Sequence, residues 1–90
     1  MIDLVDIKLL TAAITLAREL NYTRAAKRLN ISRSELTRQI VELESKLYLK
    51  IFQTQGRHVE VTKPGQQFVA ACCTFLAVRN VKDVKSRVQN

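Results

Sequence analysis

Ninety residues of which 47% are hydrophobic form one small folded domain, too apolar for global disorder and too short to cover a large core without help from a partner or a second domain. The formal net charge of +7 favours a polyanionic partner, nucleic acid before an anionic membrane surface. The sequence carries no paired carboxylates in a cleft pattern, no activated nucleophile and no glycine-rich phosphate loop, so an enzyme is not expected.

The positive excess is unevenly placed. Residues 1–20 hold Lys8 and Arg18 against Asp3, Asp6 and Glu19, whereas residues 21–63 hold nine basic and four acidic side chains. Asp3 to Glu19 predicts a first helix, capped by Asp3, with Leu4, Ile7, Leu10, Ile14 and Ala17 at three- and four-residue steps. Val5, Leu9, Ala13 and Leu16 fill other angles, so this helix is expected to pack on its own domain and also to touch something else. Asn21 and Tyr22 break the pattern, and Thr23 is the expected N-cap of a short second helix through Leu29. Ala25, Ala26 and Leu29 form its inner face, Asn30 its end and Ile31 a buried plug in the turn.

A third helix is predicted from Ser32. Ser32 and Glu35 have capping-box spacing, each able to satisfy the other's backbone N–H. Leu36, Ile40, Leu43 and Leu47 form one buried stripe, while Ser34, Arg38, Val41 and Ser45 lie opposite with Thr37 at the margin. That outward face of hydroxyl, small and arginine side chains suits a helix lying in the major groove of DNA. From Ile51 to Thr62 the period changes to that of two short strands around a Gly-containing turn, a wing placed straight after the recognition helix. Thr62 is the expected cap of a fourth helix that tolerates Pro64 in its first turn and runs to about Val88. Phe68, Cys72 and Phe75 line one side of it, and Val69, Cys73 and Leu76 another. Farther on, Ala77, Val81, Val84 and Val88 make a seam flanked by Arg79, Lys82, Lys85 and Arg87. We expect Val69, Cys73, Leu76, Ala77, Val81, Val84 and Val88 to form a homodimer seam.

Cys72 and Cys73 are neighbours, which gives neither a disulfide framework nor metal spacing. They are expected to be reduced, small apolar residues in a cytosolic, nucleoid-associated protein. His58, the single histidine, is expected to be a polar wing-tip residue, and no cofactor or metal is expected. No secretory leader and no bilayer-spanning run are expected either.

The order Asn21-Tyr22-Thr23-Arg24-Ala25-Ala26-Lys27-Arg28-Leu29, Ile31-Ser32, Leu36-Thr37-Arg38-Gln39-Ile40, Leu43-Glu44, Leu47, Ile51-Phe52, Arg57 and Val61-Thr62-Lys63-Pro64-Gly65 between two long helices resembles the DNA-binding domain of LysR-type transcriptional regulators. The resemblance runs from about Leu4 to Val88. It implies a mostly α fold: a winged helix-turn-helix at residues 1–62, followed by a linker and dimerisation helix at 63–90. It also implies double-stranded operator DNA as partner, in bacteria. In that family a ligand-sensing domain follows the linker helix; the sequence does not include it, so an excised domain or an unusually short family member is expected, a chain ending mid-helix favouring excision, and a small-molecule effector is expected only where that domain exists.

Arg33, Ser34, Thr37 and Arg38 are the expected base readers, with Val41 facing a thymine methyl group. Thr23, Arg24, Ser32, Gln39 and Arg57 are the expected backbone contacts. Glu35 has two readings, the capping box and acceptance from cytosine N4. Where the family usually has Gln-Pro-Ala, this chain has Arg33-Ser34-Glu35; Tyr48 stands where the helix usually ends at Gly, and Thr54 where the wing commonly has Arg. The helix end is expected to differ accordingly, and Lys50 or Arg57 to supply the missing wing contact. Two other readings remain at this point: another winged-helix type, such as the N-terminal domain of molybdate-responsive regulators, and a short module that heterodimerises with full-length regulators and inhibits them.

Overall fold

The computed structural model describes residues 4–79 of the chain, with side chains over 7–74. Four helices and one hairpin follow in the order α1 (Leu4–Glu19), α2 (Tyr22–Leu29), α3 (Arg33–Leu47), β1 (Phe52–Gln55), β2 (His58–Val61) and α4 (Lys63–Arg79). The Asp3 cap and the seam residues Val81, Val84 and Val88 lie outside the described residues.

α1 is the central element and packs against α2, α3 and α4. Leu9, Leu10, Ala12, Ala13, Ile14 and Leu16 are all buried. Part of the second apolar side of α1 is met within the chain: α4 packs on α1 and brings Cys72, Phe68, Val69 and Cys73 to the same core. Ala25 and Ala26 lie buried on α2, where small side chains permit a close helix crossing.

The cap of α2 is Asn21, not Thr23. Asn21 has an extended backbone, and its Oδ1 accepts from the Arg24 N–H at 2.8 Å. Its short amide reaches the orphan donor three residues on, which leaves Thr23 exposed inside the first turn. At the other end Asn30 is left-handed (φ 59°), the Ile31 N–H reaches the Ala26 carbonyl at 3.0 Å, and Ile31 sits half-buried against the core. That is a Schellman closure with its apolar contact.

Ser32 caps α3 by accepting from the Glu35 N–H at 3.0 Å. The buried stripe runs through Leu36, Ile40 and Leu43 but stops short of Leu47, which stays 37% exposed. The chain leaves the helix at Tyr48, and the core is taken up again by Leu49, Ile51 and Phe52. Tyr48 itself ends the helix in the left-handed region (φ 52°, ψ 44°). The helix thus ends where a glycine would end it, at a steric cost of about 1–2 kcal/mol, with the ring 96% exposed.

The hairpin is antiparallel, with Phe52 opposite Val61 and Thr54 opposite Val59. Phe52 and Val59 are buried on its inner face. Gly56 opens the two-residue turn at φ 60°, a conformation that glycine supplies without strain. Thr62 closes the hairpin onto α4: its N–H donates to the Ile51 carbonyl at 2.8 Å, its hydroxyl donates to the Lys50 carbonyl, and its Oγ1 accepts from the Gly65 N–H at 3.0 Å.

Gly65 packs on the backbone of Ile51. A Cβ there would stand 2.5 Å from the Ile51 carbonyl oxygen and 2.9 Å from its Cα. Gly65→Ala is expected to destabilise the fold by about 1–3 kcal/mol, the usual cost of overpacking, read as a lower urea midpoint. An unchanged midpoint would show slack at the root of α4.

Candidate nucleic-acid interface

Ser34, Thr37, Arg38, Val41 and Ser45 are all exposed along the outward side of α3. This follows from the apolar stripe: once Leu36, Ile40 and Leu43 are buried, helical geometry turns these five away from the core. Val41 is 58% exposed. The Thr37 hydroxyl donates to the Arg33 carbonyl at 3.0 Å, which leaves its oxygen lone pairs as acceptors.

Arg38 reaches outward but is not unengaged. Its Nη2 and Nε donate to the two Glu35 oxygens at 2.6 and 3.2 Å, and its Nη1 donates to Glu42 Oε1 at 3.3 Å. Lys46 Nζ lies 3.6 Å from the other Glu42 oxygen. The Gln39 amide, half-buried, also donates to Glu35 at 3.1 Å. The reciprocal half of the expected capping box is therefore not formed, because the Glu35 carboxylate turns to Arg38 and Gln39. Hydrogen bonds from Arg38 and then Gln39 hold the Glu35 carboxyl below its ordinary range, and the same pairing holds the Arg38 proton more tightly.

Beside this face lies a cleft of about 330 Å³ between the start of α2, the start of α3 and the wing. Asn21, Tyr22 and Thr23 form one wall, Arg33 another, and Thr54, Gly56, Arg57 and Val59 the third. Two arginines and no carboxylate line it. The Arg33 guanidinium sits 5.8 Å from the Tyr22 ring centroid, within cation–π reach. Thr23, Arg33 and Arg57 therefore line one opening, while Arg38 stands exposed on α3 outside it. Arg24 and Ser32 are exposed nearby in sequence, at the start of α2 and the cap of α3. On the far side of the wing, His58 and Glu60 pair at 2.8 Å, both exposed.

Glu44 is the residue that reasoning from the sequence missed. Its side chain is only 13% exposed; Oε2 accepts from the Ile51 and Phe52 N–H groups at 2.9 and 3.1 Å, and Oε1 lies 3.8 Å from Lys50 Nζ. This carboxylate fastens the entry of the wing to the recognition helix. The available signal was the non-helical run Leu49–Phe52 following α3, whose buried N–H groups need acceptors. Among the proposed seam residues, Val69 and Cys73 are half-buried against the chain's own core. Leu76 and Ala77 follow on α4, and their side chains lie outside the described residues. Burial raises the Cys72 thiol pKa, with Cys73 adding to it, so Cys72 is a poor thiolate.

The family model described as a bacterial regulatory helix-turn-helix protein of the lysR family matches residues 7–66, from α1 into the first turn of α4. The chain belongs to the LysR family. It is 35% identical over 82 residues to the HTH-type transcriptional regulator BudR of Klebsiella aerogenes, covering 91% of this chain and 57% of that protein. To CatR of Pseudomonas putida it is 37% identical over 73 residues, 81% of this chain and 25% of that one. The chain thus spans between a quarter and somewhat over half of these relatives. Among solved structures, a CbnR DNA-binding domain in complex with DNA superposes with a TM-score of 0.78 at 29% identity, covering 91% of this chain and 94% of that one. A BenM DNA-binding domain on a benA site gives 0.78 at 26% identity, covering 93% and 96%. The winged helix-turn-helix architecture of this LysR-family chain is thereby shared with domains crystallised on DNA.

Tyr22 supplies a check on this site. Burial raises its phenol pKa, Glu44 raises it further, and the Thr54 hydrogen bond and Arg33 oppose the shift. The folded protein therefore holds this proton more tightly than the unfolded chain, so the stabilisation is whole below the ordinary phenol range and is lost as pH rises through the higher folded value. A late-ionising tyrosine is expected in an alkaline absorbance titration, and Tyr22→Phe should abolish it. Its survival in that variant would place the effect elsewhere.

Proposed function

We propose that this chain is the DNA-binding part of a bacterial LysR-type transcriptional regulator, acting in the cytoplasm on a double-stranded operator as a homodimer with α3 in the major groove. One observation carries the reading: the outward face of α3 presents Ser34, Thr37 and Arg38 clear of the core, beside a cleft whose charged side chains are two arginines. Residues 1–62 form the DNA-binding unit and residues 63–90 the linker and dimerisation helix. The greater length of the relatives supports an effector-binding domain elsewhere in the whole protein, and with it a small-molecule effector. A regulator of this kind binds its target without chemical turnover, so no catalytic residue is assigned.

Arg38 reads guanine through its guanidinium edge, the commonest specific contact to DNA. Ser34 and Thr37 approach neighbouring bases, and Val41 a thymine methyl group. Arg33 lies over Tyr22 and shares a cleft with Arg57, which supports a phosphate contact for it ahead of a base contact. Thr23, Arg24, Ser32 and Arg57 hold the flanking backbone and set the register of α3 without encoding sequence. Gln39 is half-buried and committed to Glu35, which makes it the weakest of the backbone group. Dimerisation uses the side of α4 carrying Val69, Cys73, Leu76 and Ala77 and continues through Val81, Val84 and Val88. The half-burial of Val69 and Cys73, which leaves an apolar edge beyond the core, supports this.

Two outcomes check the reading. With a duplex obtained by binding-site selection, Arg38→Ala should weaken specific binding by about 1–3 kcal/mol per half-site and relax preference at one base pair. An equal loss on random DNA would make Arg38 a phosphate contact only. Leu76→Asp should yield a folded monomer by light scattering with weak operator binding; a mass unchanged from the unsubstituted chain would remove the proposed seam.

A further inference from the structure

The two acids beside Arg38 have no obvious place on a surface meant for a polyanion. Glu35 spans the Nε–Nη2 edge of the guanidinium with both of its oxygens, at 3.2 and 2.6 Å, whereas Glu42 holds Nη1 by a single longer contact of 3.3 Å. The two grips are unequal. A guanine presenting O6 and N7 can replace Glu42 at the Nη1 side while Glu35 keeps its edge, so the planar fork arrives already oriented. Phosphate oxygens fit the same fork, but they bring negative charge up to the two carboxylates, which the neutral guanine edge does not. On DNA with no guanine in reach, Glu35 and Glu42 keep the guanidinium, so its charge is taken up by the two carboxylates and not by phosphates, and non-specific attraction is weaker.

We propose that Glu35 is a specificity-determining positioning residue: it presets Arg38 for guanine and weakens attraction to DNA that offers Arg38 no matching base. This rests on the DNA-binding reading above. It differs from a simple cap, since the carboxylate is turned outward to Arg38 and Gln39. It also differs from an ordinary surface ion pair, which contributes only to helix stability. The hydrogen bonds that keep the Glu35 carboxyl ionised, and the Lys8 charge on α1 that adds to them, maintain the negative charge the filter needs.

The test compares the unsubstituted chain, Glu35→Gln, Arg38→Ala and the double variant on the selected duplex and on a scrambled one at a single stated salt concentration. Glu35→Gln should tighten scrambled binding by roughly three- to tenfold and change selected binding by less than about twofold, so that discrimination falls. In the Arg38→Ala background the same change should alter the ratio no further, because the two residues act as a unit. Melting midpoints confirm that all variants are folded. A Glu35→Gln variant that keeps the original ratio, or weakens both duplexes in parallel, overturns the filter while leaving DNA binding intact. An unsubstituted chain that binds neither duplex overturns the DNA-binding reading and the filter together, and one that binds both equally overturns sequence-specific reading and the filter.

Discussion

The arrangement of the whole surface depends on how the three residues Lys50, Ile51 and Phe52 are held. Their backbone follows α3 and precedes the wing, and neither a helix nor a ladder satisfies all of its polar groups. Glu44 takes two N–H groups, Thr62 takes two carbonyls, and Gly65 lies flat against Ile51. Hydrogen bonds to a charged acceptor contribute about 1.5–3 kcal/mol each, and the Ile51 side chain is fully buried beside them. Recognition helix, wing and α4 therefore meet in one small knot. Without it the cleft lined by Arg33, Thr23 and Arg57 would lose the joint that sets the wing against α3.

Within that frame the cations fall into two kinds. Arg33 and Arg57 share a cleft with no acidic lining, and their charge is directed at whatever anion enters. Arg38 and Lys46 are each matched by a carboxylate one turn away. A net charge of +7 thus understates the contrast: general attraction is concentrated at the edge of the surface, and its centre is nearly neutral. In the proposed complex, attraction at the edge would bring the duplex in, and a balanced centre would leave the choice of sequence to geometry.

Much of this was legible beforehand. The buried run Leu36–Ile40–Leu43, the Ser32 cap, the hairpin around Gly56 and the Thr62 cap all follow from local periodicity and from side chains that bond within their own turn. What escaped depends on partners distant in sequence or on competition between neighbours. Asn21 and Thr23 are both good caps, and only the extended backbone at Asn21 decides between them. Glu35 has cap spacing, yet the stronger charge of Arg38 one turn on claims it. Glu44 looks like any solvated helix acid until the chain reverses and delivers the Ile51 and Phe52 N–H groups to it. With Tyr48 in the place of a glycine the helix end was expected to differ, yet Tyr48 takes the left-handed conformation a glycine would take. The surplus apolar surface of α1 gave no sign of its partner, since α4 returns to it from more than forty residues away.

The bare backbone contact at Gly65 has a mechanical meaning. With the Gly65 backbone set directly on that of Ile51 and only the short, doubly bonded Thr62 hydroxyl beside them, there is little soft at that joint to bend. In the proposed dimer, tilting α4 would then carry the hairpin and α3 with it, as an elbow set in plaster carries the hand. The span between two reading heads would be governed by the angle at which two long helices cross, and a few degrees at the seam would become ångströms at the groove.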